Sequence, residues 1–392
     1  MELSDLEPDL EIIALDDGNL RVGLTLEGEE VSRAFIIPMT VRYGVATLRM
    51  DGIGGVATED EHRRKGYSRR VMEAAVARMR SGPAGVSMLY GIRDFYPKYG
   101  YATLGPETAI ELRDLDGLGE IPAGWDVRPA RVEDFAVIRA IYDESTAEAT
   151  GALLRADDSL SWSRLRESIE KDDGECRVAV DAAGTVEGYA WRASRHWWME
   201  HWMHWSPAGL KTSEAFARNP LAADALLAGC AAWARALQQE RISLTTSLDG
   251  HLAGAAMLRT SEVWYRFTLD GEFMGRVVGI QKLFRAIQPE LTRVWALAAP
   301  GLTFRGVVLF DTGEDIGRLR LGDDGVEVID EGADEMTALH VELGTGELAR
   351  LVFGGLPTTY LTRLPGVTPA AVGVLTALFP HRLPYIYPPD RF

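Results

Sequence analysis

The pattern of apolar and polar positions divides the chain into three parts, and the first predicts strands followed by one helix. Residues 10–58 alternate apolar and polar positions or form short apolar runs, which is typical of strands. Apolar residues then recur at helical spacing from Val71 to Met79, and Ser81-Gly82-Pro83 ends that helix. Residues 86–90 return to a strand pattern. We therefore predict a mixed α/β domain over residues 1–123.

The second part, residues 124–274, repeats this order of elements. A short strand precedes an acidic helix start, and two strands at 177–180 and 185–191 are joined by a turn. An alanine- and leucine-rich helix over 222–237 and a strand over 241–246 follow. The repetition suggests an internal duplication that has diverged.

The third part, residues 275–392, predicts a helix, three strands and two further helices. The helices are expected at 278–287, 345–352 and 370–379, and the strands at 306–310, 318–321 and 326–329. A proline-rich tail ends the chain. The predicted fold class is α/β, with mixed sheets in successive domains.

Composition excludes several classes of protein. A hydrophobic content of 46% and a charged content of 25% are those of a soluble globular protein, and the acidic N-terminus does not resemble a secretory signal. A net charge of −17 argues against a nucleic-acid partner. It could concentrate cationic substrates or only aid solubility. The two cysteines, Cys176 and Cys230, predict neither a disulfide framework nor a zinc site. No apolar run approaches the ~20 residues that a membrane-spanning helix needs, so we expect a cytoplasmic protein without a membrane span.

The strongest candidate for chemistry is a basic turn between a strand and a helix. A strand ends at Thr58, and Arg63-Arg64-Lys65-Gly66-Tyr67-Ser68 leads into the helix. Unpaired amides at a helix N-terminus suit a diphosphate, and glycine permits its close approach. Three basic residues there oppose the helix dipole, which a bound polyanion would explain. The candidate coenzyme A residues are Val56, Ala57, Thr58, Arg63, Arg64, Lys65, Gly66, Tyr67, Ser68 and Arg69.

An apparent dinucleotide motif lies just upstream of this turn. Gly52-Ile-Gly-Gly-Val-Ala57 fits a relaxed glycine pattern, but Glu59, Asp60 and Glu61 follow it and would repel a pyrophosphate. We expect these glycines to form a β-bulge that splays the strand.

The turn resembles the Arg/Gln-x-x-Gly-x-Gly/Ala signature of the GNAT superfamily of N-acetyltransferases, with Ser68 in place of the usual glycine or alanine. Its surroundings resemble the Eis (enhanced intracellular survival) branch of that superfamily. The resemblance implies tandem acetyltransferase-like domains, a C-terminal sterol-carrier-protein-like domain, acetyl-CoA as cosubstrate, cationic amine substrates including aminoglycosides, and a homohexamer. It assigns the second domain a degenerate role, since no basic glycine turn occurs there.

Two residues are candidates for proton transfer. Phe95-Tyr-Pro-Lys-Tyr-Gly-Tyr101 resembles the family's Phe-Tyr-x-x-x-Gly-Tyr/Phe motif, which implies that Tyr96 is the general acid and leaves Tyr99 and Tyr101 to packing. The same resemblance implies that the terminal carboxylate, on Phe392, is the general base. An α-carboxyl of pKa ~3.5 is a weak base unless its surroundings or a water relay assist it, and the adjacent Arg391 would lower its basicity.

An aromatic band over residues 196–205 suggests an amine-binding wall. Read as a strand, it places Trp198, Glu200 and Trp202 on one face, together with His196 and His204. Residues four apart on a strand are ~13 Å apart, so a shared metal ion is disfavoured. Trp198, Glu200 and Trp202 are therefore candidate substrate residues for a cation.

These observations predict an acetyl-CoA-dependent N-acetyltransferase in which a primary amine of a cationic small molecule attacks the thioester directly. The alternatives are an acetyltransferase of protein amines and a hydrophobic-ligand binding protein that uses the third domain. One departure affects the acceptor: only about 20 residues precede the first clear strand pair, whereas the superfamily places two helices there.

Overall fold

A computed structural model describes residues 8–192, 209–330, 339–355, 357–365 and 367–392. The chain forms two compact units, and each contains segments that are distant in sequence. Unit 1 comprises residues 1–106, 267–384 and 392, and unit 2 comprises residues 107–266 and 385–391. The three-part division at residues 123 and 274 stays a prediction, since these units are not contiguous stretches of chain.

The described strands, in chain order, are β1 (Asp9–Ala14), β2 (Leu20–Leu26), β3 (Glu29–Tyr43), β4 (Ala46–Thr58), β5 (Val86–Gly91), β6 (Ala102–Thr103), β7 (Glu107–Leu112), β8 (Asp126–Pro129), β9 (Thr150–Leu153), β10 (Cys176–Val180), β11 (Val186–Trp191), β12 (Leu210–Lys211), β13 (Glu214–Ala217), β14 (Ile242–Leu244), β15 (Ser261–Arg266), β16 (Glu272–Val277), β17 (Gly306–Asp311), β18 (Ile316–Gly322), β19 (Gly325–Ile329) and β20 (Leu339–Glu342). The described α-helices are α1 (Tyr67–Ser81), α2 (Phe135–Ser145), α3 (Leu160–Glu170), α4 (Pro220–Ala236), α5 (His251–Met257), α6 (Ile280–Ala298), α7 (Thr345–Phe353) and α8 (Pro369–Leu378).

The main sheet of unit 1 has the strand order β1-β2-β3-β4-β5-β16-β6. Neighbouring strands are antiparallel except β4 and β5, which are parallel and are connected through α1. Helix α1 buries Val71, Met72, Ala75 and Met79 against one face of this sheet, and the core there includes Ile53 and Leu89. The apolar residues whose spacing predicted this helix thus form its buried face.

A second sheet of unit 1 has the order β19-β18-β17-β20, and α6 packs against β18 and β19. The predicted helix over 278–287 was too short, because α6 continues to Ala298 with Pro289 inside it. A proline inside a helix costs about 3 kcal/mol. The burial of Leu291, Val294 and Trp295 beyond the proline offsets that cost.

Unit 2 contains two four-stranded sheets, β13-β11-β10-β8 and β12-β14-β7-β15. Helix α4 supplies the largest share of one core, in which its alanine and leucine side chains pack with residues of β7, β10, β11 and β14. A second core in unit 2 holds the side chains of α2, α3, β10 and β11, together with Tyr387 from the end of the chain.

The strand β16 shows how pairing between distant segments defines the units. It pairs antiparallel with β5, from Glu272 opposite Gly91 to Val277 opposite Val86, and so belongs to the main sheet of unit 1. Similarly, β7 pairs with β14 and β15 in unit 2 although it follows β6 directly. The mixed α/β fold class is confirmed, and the sterol-carrier-like character of the third part stays a prediction.

Candidate active site

The centre of the site is a bulge in β4. Between Gly54 and Ala57, β4 advances three residues while β3 advances only from Phe35 to Arg33, so one extra residue is accommodated in β4. Gly55 has a φ of 56°, and a β-carbon there would lie 2.7 Å from the ring of Phe35. The bulge expected from the glycine run is therefore present, and it requires glycine at position 55.

Past this point, β4 leaves its parallel neighbour. The pairing of β4 with β5 runs from Met50 opposite Val86 to Ile53 opposite Leu89 and does not continue beyond it in the described structure. β3 still pairs with β4 through Thr58, opposite Ser32. One edge of residues 54–58 is thus free to accept the amides of an extended ligand, as an added strand would.

The N-terminus of α1 follows this open edge by a short turn. Gly66 is the N-cap, with a φ of 83°, and apart from its chain neighbours no atom of the described residues lies within 4 Å of the position that a β-carbon would occupy. The first helical bond is donated by the Arg70 amide to the Gly66 carbonyl at 3.2 Å. The amides of the first turn therefore point away from the helix body without helical acceptors. The glycine gives an anion direct access to them.

The basic side chains of this turn are exposed, and two of them contact the connection that precedes them. Arg63 pairs with Asp60 at 2.7 Å and donates to the Thr58 carbonyl at 3.4 Å, while Lys65 lies 3.5 Å from His62. Arg64 adopts a left-handed φ of 65°, which is strained for a residue with a side chain. Left-handed residues at 64 and 66 shape a backbone concavity of the kind that binds anions.

Phe392, the last residue, lies against the face of β4 that carries Gly52 and Gly54. A β-carbon on Gly54 would lie 3.3 Å from the carboxyl carbon of Phe392. A β-carbon on Gly52 would lie 2.6 Å from Cε2 of its ring. Phe392 is half-buried and groups with unit 1. Gly52 and Gly54 are therefore small because the chain end occupies the space above them.

Tyr96 lies just beyond the end of β5. Its side chain packs directly over Gly91 and meets Phe95 edge-on, with the ring centroids 4.9 Å apart. The side chain is 8% exposed. Burial, and to a lesser extent the neighbouring Tyr99, raises the pKa of Tyr96 to about 12. Its hydroxyl therefore keeps its proton at neutral pH.

The other two tyrosines of this segment pack as predicted. The Tyr101 hydroxyl lies 2.7 Å from the Ser87 hydroxyl, and burial raises the Tyr101 pKa well above its ordinary value. The Tyr99 ring packs in the core near α1, and its hydroxyl is buried without a hydrogen-bond partner in the described part of the chain.

Strand register shows from which side each group approaches. Gly52 is opposite Met88, so Gly52 and Gly54 share one face of the sheet with Phe392. Gly91 shares the other face with Leu89, where Tyr96 joins the core under α1. Tyr96 and Phe392 thus approach from opposite faces near the carboxyl ends of two parallel strands, where open α/β sheets bind ligands.

The site residues proposed in the first domain all fall in this one region of unit 1. The substrate candidates Trp198, Glu200 and Trp202 lie outside the described residues. Sequence reasoning missed the roles of Gly52, Gly54 and Gly91, which provide space rather than chemistry. The glycines of residues 52–55 predict only a bulge, and nothing in the sequence near Gly91 indicates that an aromatic ring would cover it.

Residues 14–104 match the family model described as "Acetyltransferase (GNAT) domain". This segment ends within three residues of the start of β7, where the chain passes into unit 2. The chain thus carries a GNAT acetyltransferase domain and is an acyltransferase by class. The comparison with curated proteins gives no match.

Solved structures share the fold over nearly the whole chain. A probable N-acyltransferase from Enterococcus faecalis V583 is similar with a TM-score of 0.68 and 16% identity, covering 95% of this chain and 89% of its own. A GCN5-related N-acetyltransferase from Anabaena variabilis ATCC 29413 gives 0.68 at 18% identity, with 95% and 89% covered. Eis1 from Mycobacterium abscessus gives 0.60 at 17% identity, with 95% and 91% covered. At these identities the likeness concerns the fold alone.

No α-helix among the described residues is long and apolar enough to cross a membrane.

Proposed function

We propose that the protein transfers an acetyl group from acetyl-CoA to a primary amine, with direct attack of the amine on the thioester. The observation that carries this proposal is the position of the chain end. The carboxyl carbon of Phe392 lies against Gly54, at the start of the free edge of β4 and one residue before the bulge. A proton acceptor there is next to the place where an extended thioester ligand would pair with the strand.

The residues of the turn fit the pyrophosphate of a coenzyme A. The open space over Gly66 and the first-turn amides would receive the phosphates, with Arg64, Lys65 and Arg69 exposed around them. The free edge at Val56, Ala57 and Thr58 would pair with the pantetheine amides. A backbone amide near Val56 would donate to the carbonyl oxygen as negative charge develops on it.

In the proposed reaction, the neutral amine nitrogen forms a bond to the acetyl carbonyl carbon. Collapse of the tetrahedral intermediate breaks the carbon–sulfur bond and releases the coenzyme thiolate. Tyr96 gives its proton to the thiolate, and the Phe392 carboxylate receives the proton lost by the attacking nitrogen. The raised pKa keeps the Tyr96 phenol protonated when the thiolate departs, and it also makes the phenol a weaker acid than an ordinary tyrosine.

The acceptor that we propose is a cationic small molecule such as a polyamine or an aminoglycoside. The support is the net charge of −17 together with the resemblance of residues 52–58, just before the turn, to the Eis branch. Protein lysines and N-terminal amines are the competing acceptors.

We further propose that the second and third parts of the chain act without coenzyme chemistry of their own. The second part lacks a basic glycine turn, which favours a structural and pocket-shaping role. The sterol-carrier-like nature of the third part and a homohexameric assembly are expectations from the family resemblance, and a cytoplasmic location is an expectation from the composition.

The experiment that tests the proposed function is thiol release from acetyl-CoA across a panel of amines. Spermidine, kanamycin and a lysine-containing peptide each serve as acceptor, and mass spectrometry locates the acetyl group. Thiol release with spermidine or kanamycin, at rates well above the peptide, supports the proposal. Faster acetylation of the peptide would assign the protein to protein acetyltransferases. The absence of amine-dependent thiol release, with a lipid bound in native mass spectra, would favour the hydrophobic-ligand alternative.

A further inference from the structure

The last residues of the chain are buried although they form no strand and no helix longer than one 3-10 turn. Ile386 through Arg391 are all buried, and a single 3-10 turn covers Pro388–Asp390. Chain ends are usually exposed and poorly ordered unless specific contacts hold them. The contacts of Asp390 and Arg391, the two residues before Phe392, therefore need a physical explanation.

Asp390 is held by a buried guanidinium in unit 2. Arg155 donates from Nε to Asp390 Oδ1 at 2.8 Å and from Nη2 to Oδ2 at 2.9 Å. Ser161 Oγ lies 2.5 Å from Asp390 Oδ1. The side chains of Arg155 and Asp390 are 0% and 1% exposed, so solvent does not screen this pair.

Arg155 is itself fixed by further contacts within unit 2. It pairs with the buried carboxylate of Glu214, which also accepts a hydrogen bond from the Tyr189 hydroxyl at 2.8 Å. The guanidinium lies 3.8 Å from the ring centroid of Tyr142 and 4.5 Å from that of Trp162. A planar cation with ring stacking and bidentate bonds defines one position for its partner.

Arg391 is also held by a buried partner in unit 2, which in this case is a carboxylate. Its Nη2 donates to Glu107 Oε2 at 2.6 Å, and its Nε donates to the Ile386 carbonyl at 3.0 Å. Both side chains of the Arg391–Glu107 pair are at most 4% exposed. The guanidinium that could have lowered the basicity of the terminal carboxylate is thus paired with Glu107.

Two consecutive residues with buried ionic anchors restrict the next residue, because one peptide bond separates Arg391 from Phe392. We propose that Arg155 and Glu107 are positioning residues which, through Asp390 and Arg391, hold the terminal carboxylate where it accepts the proton. This inference rests on the proposed function, in which Phe392 is the base.

The test uses the full chain and compares kcat, KM and coenzyme affinity for Asp390→Asn, Ser161→Ala, Arg155→Lys and Glu107→Gln, with spermidine or kanamycin as acceptor. A displacement of about 1 Å in a catalytic group can cost about 100-fold in rate. We expect kcat to fall about 10- to 100-fold in Asp390→Asn, with coenzyme Kd unchanged. The matched control is Arg166→Gln on the same helix as Ser161, which removes an exposed pair with Glu170 and leaves kcat unchanged.

Rescue by a small carboxylate separates positioning from a loss of folding. Arg155→Lys and Glu107→Gln can destabilise unit 2, whereas Asp390→Asn and Ser161→Ala change one or a few atoms. Added formate, a small carboxylate, should restore part of kcat in folded Asp390→Asn if the terminal carboxylate is misplaced, and should not affect the control. Full wild-type kcat in folded Asp390→Asn and Ser161→Ala would overturn the positioning role.

Deletion of Phe392 distinguishes this failure from a failure of the proposed base. If the deletion leaves kcat unchanged, Phe392 is not the base and the proposed mechanism fails. If the deletion abolishes turnover but Asp390→Asn retains it, the base stands and the anchors are only structural.

Discussion

The two ends of the candidate site differ in solvent exposure and in how their charged side chains are paired. The basic turn at residues 63–69, the proposed coenzyme site, is mostly exposed, and its defining feature is open space over Gly66. The chain end at residues 390–392 is mostly buried, and the ion pairs of Asp390 and Arg391 define it. Exposed amides suit a large, soluble cosubstrate that must arrive and leave. A proton acceptor of low intrinsic basicity instead needs a fixed position.

The largest effect is expected from a substitution that displaces Phe392 from its position over β4. In Gly52→Val, the new side chain would meet the Phe392 ring, since a β-carbon at position 52 would lie 2.6 Å from Cε2 and 2.7 Å from Met39 Cε. Valine is compatible with a strand, so the sheet should persist. We expect kcat to fall about 100-fold with coenzyme affinity unchanged, measured by steady-state kinetics and calorimetry.

The matched control is Gly23→Val in strand β2 of the same sheet, which β3 separates from β4. A β-carbon at position 23 has a glutamate carboxylate oxygen as its nearest neighbour, at 3.2 Å, and no contact with Phe392. Its kcat should stay near wild type. Wild-type kcat in a folded Gly52→Val protein would show that the position of Phe392 over Gly52 has no part in turnover.

A smaller loss is expected from Tyr96→Phe, which removes the proposed acid and keeps the ring over Gly91. General acid catalysis contributes typically 10²–10⁴-fold, and a thiolate needs less assistance than an alkoxide, so we expect about 10- to 100-fold in kcat. Because the Tyr96 pKa is raised to about 12, the wild-type rate should not decline through this group until the pH exceeds about 10. A pH–rate profile of both proteins measures this.

Tyr99→Phe is the control for that substitution. The Tyr99 hydroxyl makes no hydrogen bond within the described residues, so its removal should leave kcat near the wild-type value. The alkaline limb of the pH profile should shift only slightly, because burial is the main cause of the raised Tyr96 pKa and Tyr99 the smaller one. If Tyr96→Phe behaved as Tyr99→Phe does, the proton would reach the thiolate from another source, such as water.

The difference between the two regions also determines what the sequence could predict. The turn was recognisable because Gly66 and its basic neighbours are adjacent in sequence and their order follows from helix-terminus physics. Asp390 and Arg155 are 235 positions apart, and no local pattern pairs them. The same limit applies to β16, which pairs with β5 after an intervening unit, and to Pro289, whose effect on α6 depends on packing.

The next substitution, Gly66→Ala, tests the coenzyme turn. The φ of 83° is unfavourable for alanine by roughly 1–2 kcal/mol, although the space is open, so the turn should shift and present its amides less well. We expect coenzyme Kd to rise about 5- to 10-fold with kcat within about two-fold. Equilibrium binding of coenzyme A measures the first and saturating kinetics the second.

Gly119→Ala provides the same backbone strain elsewhere. Gly119 has a φ of 79° and also no atom within 4 Å of its β-carbon position, but it lies in unit 2 outside the site. Coenzyme affinity should not change there. Equal Kd values for Gly66→Ala and Gly119→Ala would separate the turn from pyrophosphate binding.

The smallest effect on activity is expected at Glu290, which holds the tail ahead of its terminal anchors. Glu290 is buried and accepts hydrogen bonds from Arg382, Arg293 and the Val45 amide. Burial alone would raise its pKa, but these donors outweigh it and lower the pKa to about 2. A carboxyl with a lowered pKa stabilises the fold above its unfolded pKa, and this contribution is lost as the pH falls from about 4.5 to 2.

Glu290→Gln should therefore lower the free energy of unfolding at pH 7, on the order of 2–3 kcal/mol, and flatten its decline below pH 4.5. Urea titrations between pH 3 and 7 measure both. The exposed carboxylate of Glu327, paired with Arg320, is the control, and its Gln variant should differ from wild type by less than about 1 kcal/mol. We expect kcat of Glu290→Gln at pH 7 to stay within about two-fold, because Asp390 and Arg391 hold the last residue independently. A loss in kcat as large as that of Asp390→Asn would mean that the whole tail, rather than its last two anchors, positions the carboxylate.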